Sequence, residues 1–98
     1  MSQAAIEDVT LREEYLRGVW MQAGRTRTLP DVMQALYLYE INCGMAAFWD
    51  SGWDVWIGDE MNGFKAEATF DSEDFDQISN WLYDTANKLY PAIMSEKL

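Results

Sequence analysis

Two glycine-centred turn signals, Ser51-Gly52 and Asn62-Gly63, cut the stretch from Ile41 to Phe70 into three short runs rich in apolar, β-branched and aromatic residues. Strand side chains alternate between two faces, and dipeptides of this kind suit the left-handed backbone of tight hairpins. The pattern predicts a three-stranded antiparallel meander. If each turn is a two-residue loop, Asp50 pairs with Trp53 and Met61 with Phe64, and every later pair follows by counting outward. Val55 then stands opposite Phe70 and Ile57 opposite Ala68, while Trp56 meets Thr69 and Glu60 meets Lys65. In the first hairpin the same count sets Phe48 opposite Val55 and Ala46 opposite Ile57, which makes one face of the sheet apolar throughout. A slip of one residue would bury Lys65 and Glu67, and an unpaired buried charge costs several kcal/mol.

Helical periodicity brackets the meander. Ile6, Val9, Leu16, Val19, Trp20 and Ala23 recur at helical spacing from about Ala4 to Ala23, with Gly24 as the expected stop. Thr28, Pro30 and Asp31 supply an N-cap, an early proline and a first-turn acid for a second helix that runs to about Glu40 and buries Val32, Leu36 and Tyr39. After Phe70, the acids of Asp71-Ser72-Glu73-Asp74 complement the positive end of a third helix. Its apolar residues Phe75, Ile78, Leu82, Ala86 and Leu89 repeat at three and four, and Pro91 ends it. The fold class expected is α+β in the order α-α-β-β-β-α, with the last helix on the apolar sheet face. A chain of 98 residues suits one core. Residues 1–28 form a helical extension, 29–91 the helix-meander-helix core, and 92–98 a loose tail.

Composition excludes several functions. A net charge of -10 argues against direct nucleic-acid binding, which needs a stripe of Lys and Arg. Histidine is absent, which removes the commonest general base and the commonest metal ligand together. Cys43 is the only cysteine, so no intramolecular disulfide or thiolate cluster forms, in keeping with a reducing cytoplasm. The segment Met1–Asp8 has no basic region leading into an apolar core, and no run of ~18 apolar residues follows, so neither secretion nor a membrane partner is expected. The carboxylate pairs Asp50 with Asp54 and Asp59 with Glu67 lack the deep cleft that acid-base chemistry requires in so small a domain. Neither cofactor nor metal is expected, and the chain reads as non-enzymatic.

Two clusters remain as candidates. The hairpin count leaves Met45, Ala47, Trp49 and Trp56 together on the second sheet face, beside Asp54 and Glu67. Tryptophan and methionine are enriched at interface cores, so this aromatic face predicts contact with a protein partner or a second copy. Leu16 and Trp20 of the first helix are expected to join this interface; the alternative is that the same helix, which must bury them, covers the face within one chain. Acidity is uneven as well: residues 1–40 hold six acids and four bases, and residues 41–98 eleven acids and three bases. Asp54, Glu67, Asp71, Glu73, Asp74 and Asp76 therefore form a second candidate, an acidic surface. Its extreme form is an inhibitor that mimics nucleic acid and docks on a basic nucleic-acid-binding protein.

From Leu29 to Pro91, the strings Trp53-x-Val55-x-Ile57-Gly58-Asp59 and Asn62-Gly63-Phe64-x-Ala66-Glu67-Ala68 resemble small hypothetical proteins of proteobacteria and their prophages. The resemblance implies a helix, a meander and a closing helix, and it carries no activity and no binding residue with it. The first 28 residues lie outside it.

Overall fold

The chain forms two helices, a three-stranded antiparallel sheet and a closing helix in the expected order. The computed structural model describes residues 2–48, 52–62 and 64–94. Its elements are α1 (Ser2–Thr26), α2 (Leu29–Leu38), β1 (Cys43–Phe48), β2 (Gly52–Asp59), β3 (Phe64–Asp71), α3 (Phe75–Leu89) and a short α4 (Pro91–Met94). A 3-10 turn, Glu60–Asn62, lies between β2 and β3, and the strand order is β1-β2-β3.

Local chemistry accounts for the helix boundaries. The Thr28 hydroxyl accepts a hydrogen bond from the Asp31 backbone N–H at 3.3 Å and starts α2, with Pro30 in the first turn. Gly24 does not stop α1, which continues to Thr26 and gives way at Arg27, whose φ is +53°. The glycine serves packing instead: a Cβ there would fall on the Tyr83 hydroxyl and lie 2.7 Å from Cζ of the same ring. Past Pro91 the chain makes one more helical turn, and Met94 is buried in the core where a loose tail was expected.

One apolar core joins these elements. Val32, Ala35 and Leu36 of α2, Val55 and Ile57 of β2, and Ile78, Leu82 and Ala86 of α3 are all fully buried. Each large side chain of this set contributes about 1.5–3 kcal/mol by leaving water. The helix α3 lies on β2 and β3, while α2 packs on α3 and reaches the start of β1. The C-terminal half of α1 joins through Trp20, whose ring stacks on Tyr83 with centroids 4.2 Å apart and meets Tyr39 edge-on at 6.2 Å. The Trp20 indole N–H donates to Asn87 Oδ1 at 3.0 Å, which satisfies the polar edge of a buried ring. Arg27 completes this corner. Its guanidinium lies 4.2 Å from the Tyr83 centroid and donates to Asn80 Oδ1 and Asp84 Oδ1, and its carbonyl accepts from the buried Ser79 hydroxyl.

Both hairpins are paired differently from the count made on two-residue turns. Across β2 and β3, Asp59 pairs with Phe64, Val55 with Ala68, Ile57 with Ala66 and Trp53 with Phe70. The 3-10 turn takes up Glu60–Asn62, so the register moves by two and each side chain keeps its expected face. Across β1 and β2, Phe48 pairs with Gly52, Ala46 with Asp54, Met45 with Val55 and Cys43 with Ile57. This register is three residues from the expected one, an odd number, so every β1 side chain changes face. Gly52 is the cause. It is the first residue of β2 and not part of a turn, and a Cβ there would fall on the Phe70 carbonyl. A glycine that permits close approach of two backbones looks, in sequence, like a glycine that permits a turn.

Candidate interaction surface

The corrected register divides the expected aromatic face. Met45 and Ala47 lie on the same side of the sheet as Val55 and Ile57, the side that α3 covers, and Met45 packs against the core. Trp56 lies on the opposite, outer side with Gly44, Ala46 and Asp54, next to Glu67 and Thr69 of β3. Trp49 lies outside the described residues. The four residues therefore do not share one surface.

On the outer side Trp56 is half-buried by its own sheet. It stands directly opposite Gly44, and a Cβ on that glycine would come within 2.9 Å of the indole Cε2. The ring lies in the space that the missing side chain leaves, an aromatic cover for a glycine near a sheet edge. Beside it, Lys65 donates to Glu67 at 3.1 Å and to Glu60 at 3.3 Å. The hydrogen bond to Glu67, then that to Glu60, holds the Lys65 ammonium above its ordinary range. Of the expected acidic surface, Asp54 and Glu67 border Trp56, whereas Asp71, Glu73, Asp74 and Asp76 surround the start of α3. Asp74 is the N-cap residue of α3 by position, but its side chain makes no capping hydrogen bond.

The first helix does not provide the cover considered for this side. Its buried residues Trp20 and Ala23 turn toward α2 and α3, and Trp20 is 1% exposed. Trp20 is thus a core residue and is not open to a partner, while Leu16 is half-buried. Farther along, α1 carries apolar side chains that sequence periodicity did not single out: Leu11 is 62% and Tyr15 60% exposed. They are separated by four residues and so lie on one stripe, which continues to Gly18, around whose Cβ position the space is open. A groove of about 420 Å³ runs along this flank between Tyr15, Val19 and Gln22 of α1 and Gln34 of α2.

A second, larger concavity of about 720 Å³ opens where α2 leads into β1, lined by Arg12, Met33, Tyr37, Glu40, Asn42 and Cys43 among others. Burial raises the Cys43 thiol above its ordinary value, which favours the unreactive protonated form. Among the described residues no group of three or more Cys, Asp or Glu is placed to hold a metal ion. None of the described helices is long and apolar enough to cross a membrane. Comparisons with protein-family models, with curated proteins and with solved structures found no match to this chain.

Proposed function

We propose that the chain is a non-enzymatic protein-interaction module that works by associating with itself or as a subunit of a larger assembly. The observation that supports this reading best is the exposed pair Leu11 and Tyr15, aligned on one stripe of a helix otherwise anchored in the core. Isolated exposed apolar residues are ordinary, but an aligned apolar stripe beside a groove is a surface that association would bury. The helix is also longer than the body is wide: its 25 residues span about 37 Å, against shorter molecular dimensions of 30 and 22 Å.

The test is the solution mass over a range of concentrations for the wild type and for Leu11→Glu combined with Tyr15→Glu. A wild-type mass that rises with concentration supports the reading, and a reduced rise in the double variant places the helix stripe in the contact. A wild type that stays at the monomer mass of 11.3 kDa throughout removes self-association from the function.

A further inference from the structure

We infer that the free edge of β1 is a pairing site for β1 of a second copy, giving an antiparallel sheet continuous across two chains. The inference rests on the reading of the chain as an associating module and adds a second contact, apart from the Leu11 and Tyr15 stripe of α1, with a stated occupant.

Pairing chemistry comes first. Cys43 stands opposite Ile57, so the next position outward sets Asn42 opposite Gly58, and there the Asn42 carbonyl accepts from the Gly58 N–H at 2.7 Å. In an antiparallel ladder, directly opposed residues alternate between pairs that exchange hydrogen bonds and pairs that do not. Asn42, Gly44 and Ala46 therefore turn their backbone groups inward to β2, and Cys43, Met45 and Ala47 turn theirs outward. Among the described residues no backbone hydrogen bond from another element reaches that outer edge. A row of donors and acceptors at strand spacing is complementary to one kind of partner, an extended strand.

Charge identifies the strand. From Cys43 to Phe48 β1 has no charged residue and no proline, whereas the opposite edge strand β3 carries Lys65, Glu67 and Asp71. Charged side chains discourage edge pairing, so β3 is guarded and β1 is open. The uncharged strand that matches an uncharged strand is β1 itself. Set antiparallel about a two-fold axis at Met45, it places Met45 opposite Met45 and Cys43 opposite the second copy's Ala47, and all three outward residues are used. The acids of β3 lie two and a half strand spacings from the axis, about 12 Å, beyond the ~8 Å Debye length at physiological salt. The concavity beside Asn42 and Cys43 leaves room for the incoming strand to run past the end of β1.

Two variants test the inference. Ala47→Pro removes an outward N–H that the monomer does not use, so it is expected to leave the circular dichroism spectrum intact and weaken association at least tenfold. Should it fail to fold, Cys43→Ala combined with Met45→Cys provides an independent readout. Mild oxidation is expected to yield a disulfide-linked dimer, while Cys43→Ala combined with Ala46→Cys yields none. Wild-type association that survives folded Ala47→Pro, or cross-linking at Ala46→Cys equal to that at Met45→Cys, overturns the β1 site while leaving association itself intact. A wild type that remains monomeric at every concentration overturns both.

Discussion

Along β3 the side chains Lys65, Glu67 and Asp71 interrupt the edge with charge, and Lys65 is bound on both sides by Glu60 and Glu67. Along β1 the run Cys43–Phe48 carries none, and its outer side is completed by Trp56 lying over Gly44. One sheet thus has a guarded edge and an open one. The difference teaches that low charge in a strand at the end of a sheet is informative: a solvent-facing edge without charge or proline is a pairing hazard unless something pairs with it. Of the chain's acids, Glu67 and Asp71 stand on β3 and none stands on β1.

The comparison can be broken most severely by moving proline one position along β1. Ala46→Pro removes an N–H bonded to β2 and is expected to cost about 3 kcal/mol or more, read as a large fall in the urea midpoint. Ala47→Pro is expected to change the stability read from the same midpoint by no more than about 0.5 kcal/mol. Equal effects at the two positions would contradict the assignment of inward and outward amides. Gly44→Val comes next, because the added side chain must displace the Trp56 ring. Overpacking of this kind costs about 1–3 kcal/mol, and tryptophan emission should move to longer wavelength as the indole becomes exposed. An unchanged spectrum would mean that Trp56 is covered by something other than its own sheet.

Smaller effects sharpen the contrast. Lys65→Ala combined with Glu67→Ala removes charge from the guarded edge with little change in the thermal midpoint, and species larger than a dimer are expected in sedimentation velocity. If none form, charge is not what closes β3. Cys43 reports on β1 directly. Its folded-state thiol is raised by burial, so stability is full below the ordinary thiol range and falls as pH rises between the ordinary and the raised value. The unfolded chain has then lost a proton that the folded chain still holds. Cys43→Ala should remove that slope from a plot of urea midpoint against pH.

How much of this was legible in sequence follows from the range over which each signal acts. The boundaries of α2 and α3 are local, and Thr28, Pro30 and the Ile78, Leu82, Ala86 stripe mark them correctly. The faces of β2 and β3 were also legible, because the extra turn residues moved the register by an even number. Those of β1 were not: one glycine, Gly52, had two meanings, and only the position of the Phe70 backbone distinguishes them. With that error the expected site lost Met45 and Ala47 to the opposite side of the sheet. The cluster of Trp20, Tyr83 and Arg27 joins elements remote in sequence, and no local pattern announces it. Gly24, beside that cluster, gave the one available hint, read as a stop when it was a space for Tyr83.

Residue-resolved amide exchange at low and high protein concentration tests the open edge most directly. The amides of Gly44 and Ala46 should be protected at both concentrations, because β2 holds them. Those of Cys43, Met45 and Ala47 should exchange freely in dilute protein and become protected together as the concentration rises. If the mass doubles while these three amides go on exchanging freely, the chains meet through another surface, and the edge of β1 is not the site of their pairing.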